Sequence, residues 1–101
     1  MNAERFLFMD QEWILEEISV ECYSGYKGEE SPRAFIHQGK KFEISAITDR
    51  WFEGGMDPAG IQHNYFKVRT SDGDFFLLRH TPRFQSWMLC RRVPAPAFSD
   101  N

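Results

Sequence analysis

The chain lacks the features that mark membrane and secreted proteins. No uninterrupted apolar run exceeds four residues, and acidic residues occupy the N-terminus where a signal peptide needs a long apolar segment. Neither a membrane span nor a signal peptide therefore fits. There are only two cysteines, Cys22 and Cys90, without CxxC spacing, whereas a secreted domain of this size normally carries more. We expect a cytoplasmic protein with two buried free thiols, which meet if the first and last strands are neighbours.

Motifs for catalysis, metal binding and cofactor binding are missing as well. The histidines and cysteines match no signature of a nucleophilic site and form no close-spaced pair of the kind that structural zinc sites use. Gly54-Gly55 lacks the strand and helix of a phosphate-binding loop. We expect no catalytic, metal-binding or cofactor-binding residue, and hence a protein that is not an enzyme. The histidines concerned are His37, His63 and His80.

Aromatic residues, in contrast, are abundant. They make up 16% of the 101 residues, with ten Phe and three Trp, so one small core can be built from a few large side chains. The length fits a single domain. Within residues 1–101 we expect an arm or short helix at 1–17, a β core at 18–93 and a disordered tail at 94–101.

Alternation of apolar and polar residues predicts strands throughout the core. Segments rich in turn residues separate them, among them a two-residue turn at Gln38-Gly39, which would pair Phe35 with Phe42. Ser71-Asp72-Gly73 predicts a second hairpin turn. The six predicted strands are 18–23, 33–37, 40–52, 63–70, 75–79 and 86–93.

The strand at 40–52 contains a change of phase. Phe42 and Ile44 lie on one face of a regular strand, whereas Ile47 and Trp51 lie on the other. For both sets to reach one core, the strand must slip by one residue near Ser45-Ala46, as in a β-bulge, and a bulged strand bends sharply. The sequence therefore predicts an all-β fold. We expect a small, strongly curved antiparallel meander or half-open barrel of five to six strands, with an N-terminal arm or short helix.

Residues 18–53, with YFKVRTSDGDFFLLR and WMLCR further along the chain, resemble a bacterial domain family of unknown function. Members of that family are small β domains found alone or joined to the C-terminus of Y-family-like DNA polymerase proteins. The resemblance therefore implies an accessory role in DNA damage tolerance. This chain departs from the family pattern where IHQGKK replaces a basic WRGR-like turn. The matching positions are Ile18, Val20, Pro32, Phe35, Gly39, Phe42, Ile44, Ile47, Trp51, Tyr65, Val68, Gly73, Leu77, Trp87 and Leu89.

Charge is unevenly distributed, although the net charge is only -3. Residues 1–30 hold eight acidic and two basic residues, whereas residues 62–101 hold six basic and three acidic residues. Such asymmetry marks either an interaction surface or two halves of one fold that neutralise each other.

A surface that is both basic and aromatic is the main candidate for binding. Tyr65, Lys67 and Arg69 alternate on the outer face of one strand, and the following hairpin should lie near them. Small barrels bind single-stranded nucleic acids with such rings and cations. The alternative is that the rings cover the barrel and the cations keep that face soluble. The candidate surface comprises Tyr65, Lys67, Arg69, Arg79, Arg83, Trp87 and Arg91.

Two kinds of partner are compatible with the sequence. The segment from Phe6 to Trp13 is more apolar than a free terminus should be and fits helical spacing, which favours docking on its own barrel or on a neighbour. The isoelectric point of about 5.6 is unlike that of most nucleic-acid-binding modules. We therefore predict a non-enzymatic interaction module for a protein partner or a second copy. The alternative is an accessory domain that binds single-stranded nucleic acid.

Overall fold

The computed structural model describes residues 3–8, 11–23, 31–54 and 60–93, with side chains from Glu12 onward. These residues form one antiparallel sheet with the strand order β1-β2-β8-β7-β6-β5-β4-β3. In the described ranges, the only other regular element is a 3₁₀ turn at Pro82–Phe84. The strands are β1 (Ala3–Phe8), β2 (Gln11–Glu17), β3 (Ser19–Tyr23), β4 (Ser31–His37), β5 (Lys40–Gly54), β6 (Gln62–Thr70), β7 (Phe75–Thr81) and β8 (Ser86–Arg92).

The predicted all-β fold is confirmed, and all six strands predicted for the core are present as β3 to β8. The sheet has eight strands in place of five to six, because the segment expected to be an arm or short helix forms β1 and β2. These two strands pair antiparallel with each other, and β2 also pairs with β8. Residues 11–17 thus find backbone hydrogen-bond partners on the edge of β8. The helical spacing of their apolar residues gives no indication of this pairing. The tail expected at 94–101 lies outside the described residues.

The long strand β5 contains the expected bulge and a second one. Its register against β6 shifts between Ile44 and Ala46, and again between Ile47 and Asp49. The first shift carries Ile47 to the core, where it packs against the buried cluster, as Phe42 and Ile44 also do. The second shift reverses the phase once more, so Trp51, expected in the core, lies opposite Tyr65 on the other face.

Hydroxyl side chains occupy both bulges of β5. Ser45 Oγ donates to the carbonyl oxygen of Arg69 at 3.1 Å, and Thr48 Oγ1 donates to that of Lys67 at 3.2 Å. Each bulge interrupts the regular ladder of backbone hydrogen bonds and leaves polar groups of β6 without their usual partners. The two hydroxyls therefore stabilise the kinked strand where the ladder fails.

The sheet curls so far that its two ends come together. Only Ile18 separates β2 from β3, yet β2 pairs with β8 and β3 pairs with β4 at the far end of the strand order. The backbone N–H of Ile18 donates to the carbonyl oxygen of Trp87 at 3.2 Å. The result is a half-barrel, in which one strand-to-strand connection of a single residue joins opposite sides of the sheet.

The core fills the inner face of this half-barrel. Phe35 is fully buried, stacks on Phe42 with ring centroids 5.0 Å apart, and meets Phe76 edge-on at 5.3 Å. Phe35 lies directly opposite Phe42, as the two-residue turn at Gln38-Gly39 predicts. Both turn residues have positive φ, 53° and 78°, which matches the right-handed twist of the flanking strands. The buried core residues are Ile18, Phe35, Phe66, Val68, Leu78 and Leu89.

Candidate binding groove

The outer face of the sheet carries two rows of side chains that cross five strands from β2 to β5. Residues directly opposite each other on paired strands share a face, so the register defines the rows. Both rows mix apolar side chains with charged ones. The first row is Glu17, Met88, Arg79, Tyr65 and Trp51, and the second is Leu15, Cys90, Leu77, Lys67 and Asp49.

These rows border an open groove of about 740 Å³. Its volume lies within the range of ligand-binding clefts, which are mostly apolar with a few polar groups. The apolar and aromatic lining consists of Trp13, Trp51, Tyr65, Phe75, Phe76, Leu77 and Cys90, and the charged lining consists of Glu53, Lys67, Arg91 and Arg92.

Two aromatic rings form a stack at one end of the groove. Trp51 on β5 and Tyr65 on β6 are cross-strand neighbours, with ring centroids 5.3 Å apart and planes inclined by 13°. Trp51 nevertheless remains 42% exposed, and Phe75 on β7 is 58% exposed. The groove therefore presents large rings that are held in place but still reach solvent.

Burial keeps two titratable groups of the groove in their neutral forms. It raises the pKa of the Cys90 thiol to about 12, against a smaller lowering effect of Arg79. Burial also raises the pKa of the Tyr65 hydroxyl, with a contribution from the charge of Glu53. Arg79 opposes that rise as a hydrogen-bond partner and as a positive charge. The floor of the groove is thus uncharged, and its charges lie around it.

The basic residues around the groove differ in how they are engaged. Arg91 binds the carboxylate of Glu16 in a fork, through Nε at 2.9 Å and Nη2 at 3.0 Å. Lys67, Arg69 and Arg92 form no ion pair within the described part of the chain, and all three are exposed. Three cations on this face are therefore available to an anionic ligand.

The structure brings together four of the seven residues of the predicted surface. Tyr65, Lys67, Arg69 and Arg79 project from the outer face of β6 and β7. Trp87 and Arg83 lie elsewhere, and Arg91 borders the groove but is bound to Glu16. Trp87 is on the inner face, with its ring 4.4 Å from that of His80 and 5.5 Å from that of Phe66. Arg83 lies in the 3₁₀ turn, where its guanidinium is 5.8 Å from the ring of Phe84, and Arg91 is directed to Glu16.

Eight lining residues were absent from the sequence-based surface: Trp13, Trp51, Glu53, Phe75, Phe76, Leu77, Cys90 and Arg92. Trp13 lies on β2 and Cys90 lies on β8, and these two strands pair. The strands are far apart in the sequence, since 75 positions separate Arg91 on β8 from Glu16 on β2. The apolar residues of both parities in β7 carry the signal that could have identified Leu77. A strand with two apolar faces needs cover on both, and Leu77 faces the groove.

No disulfide joins Cys22 and Cys90, and Cys90 is the more deeply buried of the two. Among the residues that the structure describes, no three His, Cys, Asp or Glu side chains are grouped closely enough to hold a metal ion. In the same ranges, there is no helix with the length and apolar character needed to cross a membrane.

Fold and site together define a small all-β half-barrel with an open aromatic groove on its outer face. No protein-family model, curated protein or solved structure matches this chain. The family resemblance described from the sequence stays a prediction.

Proposed function

We propose that this protein is a non-enzymatic binding module and that its partner docks in the outer groove. The observation that carries the proposal is the exposure of large rings within a concave site. Phe75 and Trp51 are 58% and 42% exposed there, whereas a sheet face that meets only water normally carries polar residues. A partner seated in the groove would remove these rings from water.

The titratable groups of the groove support binding in preference to catalysis. With a pKa of about 12 the Cys90 side chain is a neutral thiol, and the thiolate, which is absent at neutral pH, is the nucleophilic form. The raised pKa of Tyr65 keeps its hydroxyl protonated, as a hydrogen-bond donor. Both groups offer a ligand neutral surface, and neither is activated for chemistry.

A fluorescent aromatic anion tests the groove without knowledge of the natural partner. The rings of anilinonaphthalene sulfonate suit the apolar floor, and its sulfonate suits Lys67 and Arg92. We expect the folded protein to bind the dye and to raise its emission. Leu77→Glu places a carboxylate on the floor and should weaken binding about tenfold or more.

Phe84→Ala is the matched control for this experiment, because Phe84 is an exposed ring that does not line the groove. It should leave dye binding unchanged. Near-ultraviolet circular dichroism must show that each variant is folded, since partly unfolded states also bind such dyes. No binding by the folded wild-type protein, or equal binding by Leu77→Glu, would contradict the proposal.

A second copy of the chain is the protein partner that needs no further component. Light scattering over a range of protein concentrations measures the mass in solution. A dimer that Leu77→Glu separates into monomers would assign the groove to self-association. A monomer would show that the groove is open to a different partner.

A further inference from the structure

We propose that the groove binds a single strand of nucleic acid, which crosses the sheet from β2 to β5. This inference rests on the proposed function of the groove and names the chemical class of its ligand. The bases would stack on the exposed rings, and the phosphates would lie along Lys67, Arg69 and Arg92, which pair with no acid of the described residues. The proposal is argued from the arrangement of rings, the arrangement of charges and the size of the face.

The rings are placed for stacking. Trp51 is packed on Tyr65 through one side of its indole, with planes inclined by only 13°, yet 42% of Trp51 is exposed. A flat ring that is supported on one side and open on the other is a platform for a further flat group. Phe75 lies two strands away from Trp51 and is 58% exposed. Nucleobases are the planar groups that such platforms bind without sequence preference.

The cations lie beside these rings. Lys67 shares β6 with Tyr65, and Arg69 lies directly opposite Phe75 on the paired strand β7. Arg92 on β8 lies opposite Trp13 on β2. Each of these three basic side chains therefore neighbours an aromatic ring of the same face, and the described chain supplies none of them with an ion-pair partner.

The charge of the groove also favours an anionic ligand over a second copy. Among the described lining residues, Lys67, Arg91 and Arg92 stand against one acid, Glu53, and the charge of Arg91 is already offset by Glu16. The whole chain, in contrast, is acidic with a net charge of -3. Asp49 on β5 lies directly opposite Lys67 and adds a second negative charge at the β5 end of this face. Two copies that met groove to groove would bring like charges together, which is unfavourable.

The size of the face fits a short single strand and excludes a duplex from the groove floor. Five strands from β2 to β5 at the usual spacing span about 19 Å. Single-strand-binding barrels cover about 4 to 16 nucleotides, and a face of this width fits a site at the short end of that range. Stacked base pairs expose only their edges, so a duplex cannot place its bases on Trp51. We therefore expect a preference for single strands over duplex.

Fluorescence anisotropy with labelled oligothymidylate and oligouridylate of about 15 nucleotides tests the inference. Both should bind at about 50 mM salt, more tightly than a duplex of equal length, with an affinity that falls as salt rises. Trp51→Ala should weaken binding roughly 5- to 150-fold, and Trp51→Phe should restore most of the loss. Lys67→Gln should lower the slope of log affinity against log salt by about 0.7.

Lys40→Gln is the matched control for Lys67→Gln. Lys40 is an exposed lysine of β5 that does not line the groove, so its loss should leave the affinity almost unchanged. Equal losses from Lys40→Gln and Lys67→Gln would overturn the inference, because they would place the nucleic acid elsewhere. Equal affinity for duplex and single strand would overturn it as well.

Displacement of the dye separates this inference from the function on which it rests. Oligothymidylate that binds in the groove must displace anilinonaphthalene sulfonate from it. If the dye binds and neither oligonucleotide binds or displaces it, the nucleic-acid inference fails while the binding groove stands. If neither the dye nor the oligonucleotides bind, both proposals fail.

Discussion

Nε2 of His37 donates a hydrogen bond to Oε1 of Glu16 at 2.7 Å. The two residues come from β4 and β2, which do not pair and lie far apart in the strand order. Glu16 also accepts two hydrogen bonds from Arg91 on β8. Its side chain is only 14% exposed, so this one carboxylate joins both sides of the curled sheet from a largely buried position.

Replacement of Glu16 by Gln should destabilise the fold by about 1 kcal/mol. The change keeps the shape of the side chain but removes the charge that holds Arg91 and His37, and the 44% exposure of Arg91 limits the loss through solvent screening. Urea unfolding measures the effect. Glu21→Gln is the control, since Glu21 pairs only with exposed Lys41 among the contacts described. Equal losses in the two variants would contradict a special role of Glu16.

Stability should also depend on pH through Glu16. The pKa of its carboxyl lies below the ordinary value of 4.5, first because Arg91 donates a hydrogen bond to it and also because His37 does, while burial opposes the shift. A lowered pKa in the folded state means that the stabilisation is complete above pH 4.5 and is lost as pH falls through the lowered pKa. The difference in unfolding free energy between wild type and Glu16→Gln should therefore shrink on acidification. A difference that stays constant from pH 7 to about pH 3 would refute this assignment.

Two phenylalanine substitutions should have very different effects on stability. Phe35→Ala removes a fully buried ring that contacts Phe42 and Phe76, and such losses cost about 3–5 kcal/mol. Phe84→Ala removes a ring that is 61% exposed and should cost about 0.5 kcal/mol or less. Thermal unfolding compares the two. A similar shift in melting temperature for both would show that the core does not centre on Phe35.

The two thiols should react at different rates with a disulfide reagent at about pH 8. Cys90 is 6% exposed and has a pKa of about 12, whereas Cys22 is only partly buried. We expect fast labelling of Cys22 in the native protein and labelling of Cys90 only on unfolding. The variants Cys22→Ser and Cys90→Ser assign each phase. Rapid labelling of native Cys22→Ser would show that Cys90 is open to solvent.

The curvature of the fold could be predicted because the apolar residues within β5 change phase. Ile44 and Ile47 are both apolar but differ in parity, and one core can accept both only through a slip of the strand. The second slip, between Ile47 and Asp49, causes no change of parity among the apolar residues. Ile47 and Trp51 have the same parity, so a regular strand explains them equally well until the pairing with β6 is known.

The groove could be predicted only in part, for a different physical reason. Alternation shows that Tyr65, Lys67 and Arg69 share a face, but not which residues of other strands lie beside them. Trp87 was assigned to that face, yet the register of β7 against β8 places it on the inner face, opposite His80. Arg91 borders the groove, but its guanidinium is bound to Glu16 on β2. Trp13 was interpreted as helical, because short apolar segments fit both periods when the partner strand is unknown.

The position of β2 between β1 and β8 has a consequence for synthesis on the ribosome. The neighbour that β2 needs is β8, the last strand of the described residues, so a nascent chain cannot pair β2 with β8 before Arg92 has left the exit tunnel. Until then β2 and β7 each keep one open edge on which another chain can pair. Ribosome stalling within β8 should therefore yield a chain that chaperones still hold.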